Sequence, residues 1–81
     1  MLVDVIAAHV VSGHLVFLRF EDGLEGEVDF APLIPARGVF ALLQDPSRFA
    51  ELRVDPDLGT VCWPNGADIA PETLYNLLRP A

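Results

Sequence analysis

Lysine is absent from the 81 residues, and the five cations, Arg19, Arg37, Arg48, Arg53 and Arg79, are scattered among 12 aspartates and glutamates. Affinity for nucleic acid comes largely from Lys and Arg displacing counterions from phosphates, so a formal net charge of −7 opposes direct contact with DNA or RNA. Isolated arginines form neither a basic stripe nor a polybasic anchor for an anionic membrane. Cysteine is nearly absent too: Cys62 stands alone, which rules out an intrachain disulfide and a secreted disulfide scaffold. There is no CxxC or HExxH pair, and His9 and His14 straddle a turn at no usual ligand spacing, so no metal site is expected. The apolar N-terminal stretch MLVDVIAAHVV is interrupted by Asp4, lacks a positive leader and is too short to span a bilayer. The expected compartment is the cytoplasm, with no membrane contact and no cofactor.

What the chain has in excess is apolar side chains, at 52%. A domain of this size buries only about 60% of the surface its unfolded form exposes, so residues 1–81 have room for a single core. The apolar excess either compensates for that small size or serves a partner. Val3 to Val11 is rich in β-branched residues, breaks at Ser12-Gly13 and is followed by HLVFLRF, the pattern of an antiparallel hairpin. A second break at EDG, Glu21 to Gly23, introduces a third strand, LEGEVDF, in which Gly26, Val28 and Phe30 alternate with Glu25, Glu27 and Asp29. That alternation predicts one wet face. The second strand differs: Val16, Leu18 and Phe20 make one face, while Leu15 and Phe17, with Arg19, make the opposite face largely apolar as well. A strand apolar on both sides is expected to be covered on both sides, by its own chain or by another molecule.

Two prolines between Ala31 and Pro35 end strand pairing. GVFALLQD then spaces Val39, Leu42 and Leu43, with Phe40 nearby, for about two helical turns. Asp45-Pro46 reads as the N-cap and first position of a further short turn that directs Phe49 and Leu52 inward. Leu52 to Val54 and Thr60 to Trp63 are predicted to pair around Asp55-Pro56-Asp57-Leu58-Gly59. PETLYNLL closes the fold as a helix with Leu74, Leu77 and Leu78 as its apolar stripe and Arg79-Pro80 as its stop. The sum is an α+β domain in two layers: a three-stranded antiparallel meander, a short helix, a two-stranded hairpin and a C-terminal helix.

Candidate chemistry is sparse. WPNGAD, Trp63 to Asp68, reads either as a ligand platform, with Trp63, Asn65, Asp68 and Tyr75 around a pocket facing the last helix, or as a sharp turn in which Asp68 accepts free amides ahead of that helix. Turn chemistry accounts for these residues without a ligand and is the favoured reading. Cys62 with His9 or His14 would need a lowered thiol pKa and an orienting third group, and its apolar neighbours suit an inert buried thiol instead. The carboxylate pairs Glu25/Glu27 and Glu21/Asp22 fall where solvent keeps their acidities alike, so neither pair divides acid and base roles. No catalytic residue is expected, and GLEG, with no helix behind it, is no phosphate loop.

The ordered set FEDG (Phe20 to Gly23), VDF (Val28 to Phe30), VFALLQDPSRF (Val39 to Phe49) and TVCWPNGADIAPETLY (Thr60 to Tyr75) resembles a family of small bacterial proteins labelled domain of unknown function 2442. Each motif is weak alone, but their order and spacing run over nearly the whole chain. The resemblance implies the α+β arrangement above and no established activity. It also implies a small neighbouring protein in an arrangement similar to a toxin–antitoxin pair, and in longer members a following helix-turn-helix domain. Here the sequence ends at Ala81, so a DNA-binding role carried by that domain is expected to be absent or supplied in trans.

The leading expectation is a non-catalytic protein–protein interaction module, antitoxin-like or regulatory. Leu15, Phe17 and Arg19 would anchor a basic, toxin-like partner steered by complementary charge. A homodimer through the same face is the competing use of those residues. The alternative function is a small-ligand sensor built on Trp63, Asn65, Asp68 and Tyr75.

Overall fold

The structure, a computed structural model, describes residues 3–78. Strands β1 (Val5–Ser12), β2 (Leu15–Phe20) and β3 (Glu25–Asp29) form an antiparallel sheet in the order β1–β2–β3. The β2–β3 turn closes with the Gly23 amide donating to the Phe20 carbonyl at 3.0 Å and the Leu24 amide to Asp22 Oδ1 at 3.0 Å. Val16, Leu18, Phe20, Val28 and Phe30 lie on one face and are buried, whereas Glu25, Glu27 and Asp29 are exposed on the other, as period-two alternation requires. In β1 the pairing register slips between Val5 and Ala7 and again between Val10 and Ser12, and these irregularities leave Ile6 and Val11 exposed.

After β3 the Asp29 carboxylate accepts the Ala31 amide at 3.0 Å, and the chain turns through the short 3₁₀ segment Ala31–Leu33. The stretch expected to make two ordinary helical turns is instead a 3₁₀ helix, Gly38–Gln44. With three residues per turn, Phe40 and Leu43 share the inner side while Val39 and Leu42 share the outer, so Val39 and Leu42, read at helical spacing with Leu43, part from it and are 49% and 56% exposed. Asp45 then caps α1 (Pro46–Phe49), its carboxylate accepting the Ser47 amide at 3.0 Å and the Ser47 hydroxyl at 2.9 Å. These two bonds hold the Asp45 carboxyl below the usual range.

Strands β4 (Arg53–Asp55) and β5 (Thr60–Cys62) form the second hairpin. Its loop closes with the Gly59 amide on the Asp55 carbonyl at 2.8 Å, and Gly59 sits at φ +69°, a left-handed conformation that favours glycine. The Gly59 carbonyl in turn receives the Val5 amide at 2.9 Å, which ties the hairpin to the β1 edge of the sheet. Helix α2 (Pro71–Leu78) buries Leu74 fully and packs Tyr75 and Leu78 against the core, but Leu77, expected within the stripe, is 53% exposed. The 3.6-residue repeat explains the change: positions 71, 74, 75 and 78 share a face and position 77 does not. The expected stop at Arg79-Pro80 lies outside the described residues.

One core joins the layers. Phe49 meets Phe30 edge-on at 5.7 Å between ring centroids and Trp63 at 5.5 Å, with Ile34, Leu43, Val61, Ala67, Ile69 and Leu74 around them. The buried Thr60 hydroxyl donates to the Ile69 carbonyl at 2.6 Å, so this polar group is satisfied inside the apolar layer.

Candidate functional site

The outer face of the three-stranded sheet is built from residues that β2 cannot place inside. Because Val16, Leu18 and Phe20 take the core side, Leu15, Phe17 and Arg19 must project the other way. The register sets Phe17 between His9 of β1 and Glu27 of β3, Leu15 beside Asp29, and Arg19 beside Ala7 and Glu25. The His9 ring stacks on Phe17 at 5.1 Å with an interplanar angle of 24°. An Arg19 guanidinium nitrogen lies 3.3 Å from a Glu25 carboxylate oxygen, a pair worth under about 1 kcal/mol because both side chains are about half exposed. Leu15 and Phe17 are half-buried by such neighbours and stand outside the core. The face thus carries an apolar stripe bordered by a row of carboxylates.

The WPNGAD stretch is a joint. Trp63 is 2% exposed and its Nε1 donates to the Phe49 carbonyl at 2.9 Å, which makes the ring a core plug. The Gly66 amide returns to the Trp63 carbonyl at 3.0 Å, with Gly66 at φ +92°, and the Trp63 amide donates to the Ala67 carbonyl at 2.9 Å. Both ends of the Asn65 amide are occupied: Nδ2 donates to the Val39 carbonyl at 2.7 Å, and Oδ1 accepts the Ala67 amide at 3.1 Å. A cleft of about 250 Å³ does border this turn, but on the side of the 3₁₀ helix and α1, lined by Leu42, Leu43, Arg48, Glu51, Trp63, Pro64 and Asn65. Of the four residues expected around a pocket, the structure brings Trp63 and Asn65 together there and takes Asp68 and Tyr75 elsewhere. The reversal at Gly66 sends Asp68 back alongside Cys62, with which it forms a backbone bridge, and its carboxylate accepts no amide among the described residues.

Tyr75 crosses to the β2–β3 turn. Its ring meets Phe20 edge-on at 5.0 Å and its hydroxyl donates to Asp22 Oδ2 at 2.5 Å. That bond, followed by the Leu24 amide, holds the Asp22 carboxyl below the usual range. A carboxyl depressed in the folded state stabilises the fold above its unfolded pKa, and the contribution is lost as pH falls through the folded value. Tyr75→Phe is expected to raise the Asp22 pKa towards the ordinary range, as measured by carboxyl ¹³C titration, and to flatten the acid limb of stability against pH; an unmoved Asp22 would contradict this.

Cys62 is buried beside Val61 and Trp63. His14 Nε2 lies 2.8 Å from the Leu43 carbonyl, which can only accept, so Nε2 carries the proton there. The His14 ring leans on Phe49, as His9 stacks on Phe17, so each imidazole is packed in its own place. Among the described residues no three His, Cys, Asp or Glu side chains come together to hold a metal ion.

The profile of one protein family, described as Protein of unknown function (DUF2442), matches residues 5–80. The chain belongs to the DUF2442 family. No curated protein and no solved structure matches it. In this DUF2442 chain the four motifs all serve the scaffold: FEDG turns β2 into β3, VDF supplies the last inner residues and the Asp29 cap, VFALLQDPSRF makes the 3₁₀ helix and α1, and TVCWPNGADIAPETLY makes β5, the joint and α2. None includes Leu15 or Phe17. The sequence reading missed His9 as a companion of Phe17, because the irregular β1 register obscures which residues face one another. It also missed Arg48 and Glu51 of the cleft, which only tertiary packing brings to Trp63.

Proposed function

We propose that this DUF2442 protein is a non-catalytic interaction module whose outer sheet face docks a basic protein, as the antitoxin-like or regulatory half of a small two-protein system. The observation that carries the reading is the Leu15–Phe17 stripe, outside the core and bordered by Glu25, Glu27 and Asp29. An aromatic residue with an apolar neighbour provides the desolvated anchor that dominates interface energies, and a net charge of −7 draws a cationic partner towards it. Two copies of this chain meeting through the same face would oppose their carboxylate rows, which favours the basic partner over the homodimer. Among the described residues no helix is long and apolar enough to cross a membrane.

The test is co-expression with the product of the adjacent gene, comparing wild type with Phe17→Glu. Wild type is expected to co-purify as a defined complex by mass, and Phe17→Glu to weaken it by roughly 30-fold or more. The melting temperature should hold, since Phe17 lies outside the core. Equal recovery of partner by both proteins would exclude the face as the docking site. The cleft beside Leu42, Arg48, Glu51 and Asn65 supports a second reading, a small-ligand sensor, which a thermal-shift screen without a single stabilising metabolite would count against.

A further inference from the structure

The two edges of the main sheet differ. At β1 the second hairpin abuts the strand through the Val5 amide and Gly59 carbonyl, whereas β3 pairs with β2 alone. The register identifies which backbone groups β3 leaves over. The Phe30 amide bonds the His14 carbonyl at 2.9 Å and the Phe20 amide bonds the Leu24 carbonyl at 2.8 Å, so the bonded pairs of this ladder fall at Leu24, Gly26, Val28 and Phe30. The amides and carbonyls of Glu25, Glu27 and Asp29 therefore point away from β2, and among the described residues no partner reaches those amides. The side chains of the same three residues stand on the outer face, level with Leu15, Phe17 and Arg19. One row of positions thus offers both an unpaired ladder and a line of negative charge.

We infer that β3 is the acceptor edge for an added antiparallel strand, supplied by a basic partner with Lys or Arg at every second position and small or apolar residues between. This rests on the docking face proposed above and extends it sideways, from β2 to the edge. In an added strand, the residues opposite Glu25, Glu27 and Asp29 project onto the outer face directly beside those carboxylates, where cations form cross-strand pairs and acids repel. The intervening residues turn inward beside Gly26 and Val28. There the Leu78 side chain already crowds the Gly26 position, 2.8 Å from where a Cβ would stand, so space favours small side chains. A second copy of β3 is a poor occupant because each of its outward positions is acidic, so self-pairing sets carboxylate against carboxylate, a recognised way of blunting an edge. Main-chain bonds would give affinity and alternate side chains would give specificity, as in strand addition generally.

The experiment uses the full chain and a short synthetic peptide alternating lysine with valine, followed by amide hydrogen exchange. Binding is expected to slow exchange at Glu25, Glu27 and Asp29 while leaving the already paired Gly26 and Val28 unchanged. The same peptide N-methylated at its lysine amides keeps its charge but loses the ladder, and should bind at least about tenfold more weakly. The double substitution Glu25→Lys with Glu27→Lys should lose the lysine peptide and accept one alternating glutamate with valine. Exchange unaltered under saturating peptide, or equal binding of the N-methylated peptide, would overturn strand addition. The two readings also fail separately. A co-expressed partner that is lost in Phe17→Glu yet leaves the β3 amides unprotected would uphold the face and remove the edge. Protected amides with capture unaffected by Phe17→Glu would do the reverse.

Discussion

Trp63→Ala is expected to leave much of the chain unfolded in water. Removing a fully buried tryptophan costs about 3–5 kcal/mol in transfer energy and cavity. Here it also removes one of the two donors to the Phe49 carbonyl, which keeps the Leu52 amide at 3.1 Å, a further loss of about 0.5–1.5 kcal/mol for one hydrogen bond. Against about 0.05–0.15 kcal/mol of stability per residue, the 81 residues hold roughly 4–12 kcal/mol in total, so the deletion removes a large share of it. Trp63→Phe separates the terms, since it keeps much of the packing against Phe30 and Phe49 and loses the Nε1 donor; its destabilisation should be clearly smaller. Urea unfolding followed by circular dichroism measures both, and a Trp63→Ala midpoint close to wild type would show that the joint is not a core plug.

Leu74→Ala should be nearly as damaging, at about 2–5 kcal/mol, because Leu74 is the fully buried anchor of α2. Tyr75 and Leu78 flank it on the same face and cannot replace it: the Tyr75 hydroxyl is committed to Asp22, and Leu78 lies at the helix end over Gly26. Leu77→Ala, three positions along, is the control and should fall within about 0.5 kcal/mol of wild type, as most surface substitutions do. Matched urea curves for the two variants decide the point. Equal losses would mean that the helix is rotated from the orientation described here.

That contrast also shows how far the sequence could be read. The meander was legible because polar and apolar residues alternate strictly in β3, so Glu25, Glu27 and Asp29 could only face water. For the same reason Leu15, Phe17 and Arg19 could be placed on a common outer face once Val16, Leu18 and Phe20 were taken inside. β1 was less legible: nearly all of its residues are apolar, and without polar markers nothing in it announces the irregularities at Ile6 and Val11. Over the seven residues of Gly38–Gln44, repeats of 3.0 and 3.6 drift apart too little to be told from composition, so Val39, Leu42 and Leu43 read as one helical spacing although Leu43 alone of the three is buried. The contacts that decide the WPNGAD question were out of reach for another reason. Asn65 to Val39 and Tyr75 to Asp22 join residues 26 and 53 positions apart, and such bonds follow from the finished fold rather than from local pattern.

The division of the core between early and late parts of the chain bears on how the protein is made. Val16, Leu18, Phe20, Val28 and Phe30 leave the ribosome ahead of Leu43, Phe49, Trp63 and Leu74, which close over them. The nascent meander must therefore wait with its oily side open to water, exposed to chance encounters, until translation delivers the lid.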